Sequence, residues 1–511
     1  MAKIYFEFVC AYSFMKKILL PLAIIIISTL LAFSILTKDH EWGDDWASYI
    51  MQAVSITRCQ TDEFIQHNAF TMRESTHFIG PDAYPWGYPA FLVPFTLACG
   101  PLNVYCIKFV NLVFFALFLW VFYAFLIRRL PPLESALLLA VFAFSPLLLK
   151  FEDSLLSDIA FLFFSMLGLL LIENAILRDK NYLGSLRRNI WLGITLFLAF
   201  FVRTNGILLG PTLFLVQIFT YLRTRPHPIP DWKRILTIGL IPYYIFGLLA
   251  IINLILFPAG EGSHLEHLSN LSLSTLADNL SAYYALPAYF FNDLQHPEIL
   301  YGLLLPFILG GIILYFKSES HFVFYLFLSY ALFIIWPDQQ GIRFLFPLLP
   351  LLIYFTYRGM QVTFFALTER HARLGLWLTR AFWLVIIAIF AWTSLGLARD
   401  NLIQGRGPYG NAFDPISIEM FEFIKSNTPA DSVIAFYKPR AMRLFTDRDS
   451  LLVDRCNALS MADFVVLRKS RGAVDQISPA DVTTCNPSIH VTEVFDNKKF
   501  VVYQITSPKA K

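Results

Sequence analysis

Continuous apolar runs separated by short polar loops dominate the chain. The first runs from Ile18 to Leu36, and others follow near 104–127, 133–149, 155–177, 190–203, 206–222, 235–257, 299–316, 321–336, 343–366 and 380–398. An α-helix needs about 20 apolar residues to cross the hydrocarbon core, whereas a membrane β-barrel shows alternating segments of about ten. The pattern predicts a polytopic α-helical membrane protein with about eleven transmembrane helices, the short runs between 190 and 222 being the weakest. Lys16 and Lys17 precede the first run, which is long for a signal-peptide core and lacks an A-x-A-like site. It reads as a retained span. Pro89 to Cys99 is apolar but too short to cross, and reads as a helix in the outer interface.

Past Asp400 the period changes. Gly405, Gly407, Pro408, Gly410 and Pro415 form a linker, and Ile416 to Lys425 has helical spacing. Short β-like runs follow at 432–437, 463–467, 490–495 and 500–505. This predicts two domains: a multi-span region over 1–400, with a long first outer loop at 38–88, and an extracytoplasmic α/β domain over 401–511. No internal repeat stands out.

Composition agrees with the pattern. The chain of 511 residues is 57% hydrophobic and only 15% charged, which excludes an ordinary soluble globular protein. A net charge of +3 gives no argument for nucleic acid. The position of the charges is informative. Lys16/Lys17, Arg128/Arg129, Arg178 to Arg188, Arg223 to Arg234, Lys317 and Arg358 to Arg380 fall in every second loop, which the positive-inside rule makes cytoplasmic. The alternate loops are acidic: Asp39 to Asp82, then Glu152, Asp153 and Asp158, then Glu261 to Glu298. An odd number of spans then places the C-terminal domain outside. Six cysteines with no C-x-x-C spacing make a zinc or thioredoxin-like site unlikely, and an outside location would let Cys456 and Cys485 pair.

The first outer loop holds Trp42-Gly43-Asp44-Asp45-Trp46 at a helix start. Either carboxylate could simply cap the helix. Two like charges in contact, partly buried, would instead raise one pKa towards general-base strength. Asp158 lies at the edge of an apolar run, where an ionisable group is functional by default, or pairs with Lys150 or caps the span. Arg203-Thr204-Asn205-Gly206 and Arg343 sit at outer span boundaries, against the positive-inside trend. Arginine there suits phosphate, because its planar fork donates paired hydrogen bonds, or it anchors at the headgroups. Pro347 and Pro350 should distort the span after Arg343. His264 and His267 lack metal-motif spacing and read as loop or substrate contacts. No ATPase, dinucleotide or α/β-hydrolase motif is present.

Several segments together resemble the GT-C superfamily of integral-membrane glycosyltransferases, which includes protein mannosyltransferases and lipid A aminoarabinose transferases. Asp45-x-x-x-Tyr49-x-x-x-Ala53 resembles their first-loop acidic motif, and Tyr84 to Phe95 (YPWGYPAFLVPF) the segment that closes that loop. Arg203-Thr-Asn-Gly206 is similar to an R-P-x-G element, with Thr-Asn in place of Pro. Gly341 to Pro350 (GIRFLFPLLP) resembles a late R-Y-x-x-P-x-x-P motif, with Phe344 replacing Tyr. Asn427 to Ile434 and Lys438 to Arg448 look like the tail of bacterial members. The resemblance implies transfer of a sugar from a polyprenyl-phosphate donor to a lipid, glycan or protein acceptor on the outer face, in a bacterial inner membrane. By motif position Asp45 is the base, with Asp44 second. Arg343 contacts the donor phosphate, supported by Arg203 or Lys150, and Asp153 or Asp158 orients the acceptor. Tyr84, His264 and His267 are further candidate substrate contacts, the histidines from their place in the acidic loop rather than from the resemblance. No metal or cofactor is implied. A transporter or flippase, or a polymerase or ligase of lipid-linked glycans, is the competing reading; a transporter would gather charges at mid-membrane between quasi-symmetric halves.

Overall fold

The computed structural model describes residues 2–224, 232–258, 260, 272–336, 339, 341–367, 372–407, 410–470, 475–478, 482 and 490–506. Helices form at every predicted span, and the packing shows why. On the helix Phe109–Leu126, Phe115, Phe118, Phe122 and Phe125 recur at three- and four-residue spacing and make a ring ladder with centroids 5.8 to 6.2 Å apart. That stripe meets Phe142, Phe322 and Tyr354 from three other helices at 4.9 to 5.1 Å.

Among the described residues, six helices are long and apolar enough to cross a membrane, or eight if two bent pairs each count as one span. The bends are at Pro132–Ala143 with Pro146–Glu152 (53°) and at Trp232–Gly239 with Ile241–Leu256 (47°). In each pair a proline opens the second helix (Pro146, Pro242), where it cannot donate back to the preceding turn. Leu186–Val202, Ser320–Ile335 and Leu349–Leu367 are helical at their predicted places without meeting the same test. The distortion expected from Pro347 and Pro350 is present: Ile342–Leu345 is a 3-10 turn, and regular helix begins only at Leu349. The apolar segment after Trp86 forms the helix Gly87–Cys99.

The tail carries a five-stranded sheet in the order β2-β1-β3-β5-β4. β1 (Val433–Ala435) runs parallel to β2 (Asp449–Leu451) and β3 (Phe464–Arg468), while β5 (Phe500–Thr506) is antiparallel to β3 and β4 (His490–Asp496). The predicted runs are β1, β3, β4 and β5. β2 has only three residues and the helix Pro439–Thr446 only eight, both too short for periodicity to register. That helix nevertheless buries Arg440, Ala441, Met442 and Phe445.

The tail is seated on the segment 36–88. Trp42 packs among Phe421, Phe436, Tyr437 and Phe500 at 5.4 to 6.3 Å. The Asp39 carboxylate accepts from the backbone N–H groups of Asn411 (3.2 Å) and Phe413 (3.0 Å), and Thr76 and Leu452 join through backbone N–H···O=C at 3.0 Å. Cys99 and Cys106 form a disulfide that the spacing did not suggest. Cys456 is disulfide-bonded too; its partner, like Cys485, lies outside the described residues.

Candidate active site

The helix Asp45–Arg58 begins the site. Trp46, Tyr49, Ile50 and Ala53 form its buried stripe. Asp44 occupies the N-cap position, yet its side chain makes no capping hydrogen bond, so capping does not account for the doubled acid. Neighbouring helical positions point about 100° apart, and the two carboxylates accordingly face different partners. Asp45 Oδ1 accepts from the Tyr84 hydroxyl at 2.6 Å, and its Oδ2 faces Arg343 Nη2 at 3.4 Å. Asp44 Oδ1 accepts from the backbone N–H of Ala441, in the tail, at 3.3 Å.

Tyr84 is held by both ends. Gln52 donates to its carbonyl (2.9 Å) and accepts from its N–H (3.2 Å), and its ring lies 4.8 Å from that of Tyr49. Gly87, three residues on, is needed for close approach: a Cβ there would collide with the backbone of Phe201 and Val202. Helix Gly87–Cys99 thereby packs tightly beside the end of Leu186–Val202, just before Arg203.

Arg343 reaches from the 3-10 turn to both carboxylates, Asp45 at 3.4 Å and Asp158 Oδ1 at 3.6 Å through Nε. Asp158 opens the helix Asp158–Ile172 and is tightly paired with Arg203, whose guanidinium lies 4.9 Å from the Phe344 ring. The side chains of Asp45 and Arg343 are 27% and 25% exposed, whereas Asp158 is 1% exposed. One acid–base pair is therefore sealed and the other open. Contacts of 3.4 to 3.6 Å are at the limit of hydrogen bonding, so the open guanidinium is only loosely engaged.

Like charge and partial burial were expected to raise one pKa of the doublet, and one is raised, though it is not that of Asp45, the base by motif position. Burial pushes Asp45 up, but Arg343, the Tyr84 hydroxyl and Arg440 outweigh it and hold the group below the usual carboxylate range. Asp44 is the raised member, pushed up to about 6 by burial, which the charges of Arg440 and Lys438 offset only in part, with Asp45 the smallest of the causes. Its Oδ2 is buried without a hydrogen-bond partner. A raised folded-state value contributes stability that is full below the ordinary carboxylate value and lost as pH rises through about 6. Asp44→Asn, which keeps the acceptor for Ala441, should match the parent in melting temperature near pH 4. Above pH 6 it should be more stable, by on the order of 1–3 kcal/mol. An equal offset at both pH values in thermal melts would contradict this.

Asp153 and Lys150 lie elsewhere. Asp153 accepts from the Thr37 N–H (2.6 Å), the Thr37 hydroxyl (2.7 Å) and the buried Lys108 ammonium (2.7 Å). Both Lys150 and Asp153 line a separate cleft of about 480 Å³ with Thr37, Glu41, Asp400 and Asn401. Among the described residues Lys150 makes no hydrogen bond or ion pair with Arg343 or Asp158, and Asp158 is paired with Arg203. His264 and His267 lie outside the described residues. No group of His, Cys, Asp and Glu suited to a metal ion occurs among the described residues. Lys108 and Arg440 were not singled out from the sequence. Lys108 could have been, as an ionisable group near the end of an apolar run.

No protein-family model matches the chain, and no curated protein matches it. Solved structures do. Crystal structures of ArnT from Cupriavidus metallidurans, apo and bound to undecaprenyl phosphate, each superpose with a TM-score of 0.55 at 12% identity, covering 94% of this chain and 97% of ArnT. The oligosaccharyltransferase of Archaeoglobus fulgidus in its apo form gives 0.53 at 10% identity over 96% of this chain and 74% of its own. The same archaeal enzyme, AglB, in complex with an inhibitory peptide and a dolichol-phosphate gives 0.51 at 11% identity, covering 97% of this chain and 75% of its own.

Proposed function

We propose, with the GT-C fold shared with ArnT and AglB as the premise, that this chain is a polyprenyl-phosphate-dependent glycosyltransferase. It moves a hexosyl or pentosyl group to a lipid, glycan or protein acceptor on the outer face of a bacterial inner membrane, where the tail domain also lies. The observation that carries this reading is the open pair: a carboxylate held ionised, 3.4 Å from a partly exposed, loosely bonded guanidinium. Undecaprenyl phosphate bound to ArnT and dolichol-phosphate bound to AglB are polyprenyl phosphates, the class of carrier that such a donor would release and such a pair suits.

The chemistry follows from the charges. The bond between the anomeric carbon and the phosphate oxygen breaks, and the leaving phosphate takes up charge that Arg343 neutralises. The acceptor oxygen or nitrogen attacks from the opposite face and gives its proton to Asp45, so the anomeric configuration inverts. A carboxylate with a depressed pKa is a weak base, but Arg343 supplies much of the depression. When that guanidinium turns to the donor phosphate, Asp45 loses a counter-charge and its proton affinity rises, when the acceptor needs it. A lipid-linked donor needs a groove between helices rather than a nucleotide fold, which accounts for the missing nucleotide motifs.

Deleting the gene and comparing lipids, glycans and envelope proteins by mass spectrometry should show one class losing one sugar. Unchanged masses in all three classes would refute the reading.

A further inference from the structure

Arg440, in the tail, is 1% exposed and has no carboxylate at ion-pair distance among the described residues. A buried guanidinium is costly unless its donors are filled, and here polar atoms of the segment 68–84 fill them. Nη1 donates to the Tyr84 hydroxyl oxygen (3.1 Å), Nη2 to the Pro81 carbonyl (2.6 Å) and Nε to Asn68 Oδ1 (3.3 Å). Gly80, at φ +140°, makes the room: a Cβ there would stand 3.1 Å from both Nη atoms and from the Tyr84 hydroxyl.

We propose that Arg440 is a positioning residue for the transfer reaction, dictating which way the Tyr84 hydroxyl points and so aiming the Asp45 carboxylate. The inference rests on the reading of Asp45 as the base. A guanidinium has hydrogens to give and no lone pair to offer. With Nη1 donating to it, the Tyr84 oxygen is an acceptor on that side, and its single proton goes to Asp45 Oδ1 at 2.6 Å. The tail domain thus reaches the reacting carboxylate through one hydroxyl, besides the charge of Arg440 itself. Around Asp45 the other charged or titratable groups are Arg343, Tyr49 on its own helix, Asp44 and His40, with Asp158 beyond Arg343. Tyr84 and, of these, Arg343 bond it directly.

The test uses the full-length protein with Arg440→Gln, Arg440→Lys, Tyr84→Phe and the Arg440→Gln/Tyr84→Phe pair. In Arg440→Gln the acidic limb of the kcat/KM profile should move up by about one pH unit. Tyr84→Phe should do the same, the pair should shift by less than the sum of the two, and Arg440→Lys should recover part of the loss. A uniform fall in rate with an unmoved limb, or additive shifts, would overturn the proposal. A readout free of activity comes from melting Asp45→Asn against its parent across pH, in both the wild-type and Arg440→Gln backgrounds. The pH below which ionised Asp45 stops stabilising the fold should be higher in the second background; identical curves would also overturn the proposal. If Asp45→Asn turns over normally, the base assignment has failed. If it is inactive and the Arg440 limb stays put, only the positioning role has failed.

Discussion

Asp45→Asn should lower transfer by about three orders of magnitude or more, the scale of losing a positioned general base together with part of its electrostatic field. Asparagine keeps the size of the side chain and an oxygen for the Tyr84 hydroxyl, which donates to it at 2.6 Å, so the fold is retained. What is lost is the charge that, in the proposed mechanism, takes the acceptor proton. Donor binding should persist, since Arg343 is then free of its nearest counter-ion. The stability signature has a definite sign. Asp45 has a depressed folded-state pKa, so its ionisation stabilises the fold above the ordinary carboxylate value, and that contribution disappears as pH falls through the folded value. Asp45→Asn should therefore melt below the parent at neutral pH and converge with it in acid. Asp44→Asn is the contrast, because Asp44 faces Ala441 in the tail and not Arg343. Turnover should survive there. Near-normal transfer by Asp45→Asn with loss in Asp44→Asn would move the base by one residue.

Arg343→Ala should weaken donor binding by about 100-fold, equivalent to about 3 kcal/mol, the cost of removing one partner from a desolvated charged contact. Arg343→Lys should recover little, because a single ammonium cannot reproduce the paired N–H groups aimed at two phosphate oxygens. The fold should tolerate the loss, since Asp158 keeps its tight contact with Arg203. In the variant Asp45 loses its strongest opposing charge and its proton affinity rises, so the acidic limb of the residual activity should move to higher pH. Binding of a labelled polyprenyl phosphate to purified protein in nanodiscs reads the first effect directly. An affinity equal to the parent's would remove Arg343 from the phosphate.

The apolar runs gave the helices at their right places, because each span must satisfy its backbone internally and so announces itself by composition. They did not give a span count, since bends at Pro146 and Pro242 and the short helices depend on neighbours. The alternation in 432–505 gave four of the five strands, and β2, three residues long, has no period to show. Asp45, Tyr84, Asp158, Arg203 and Arg343 came from motif likeness joined to the cost of charge near lipid. Their mutual distances needed the fold. That one member of the doublet would be raised was legible, but not which: adjacent helical positions diverge, so Asp44 and Asp45 face separate partners, and burial is the largest cause at Asp44. Lys150 and Asp153 came from the family resemblance, and the fold places them on a cleft lined also by Thr37 and Glu41. Arg440 was beyond reach, being 356 positions from the Tyr84 that it touches.

Release of free polyprenyl phosphate from a labelled polyprenyl-phosphate sugar is the decisive measurement. It is made with purified protein in liposomes, supplied with an envelope extract as acceptor. Wild-type protein should free polyprenyl phosphate in step with labelled product, and Asp45→Asn should free almost none. Donor that crosses the bilayer with its sugar still attached, at equal rates in both proteins, would contradict the transferase assignment.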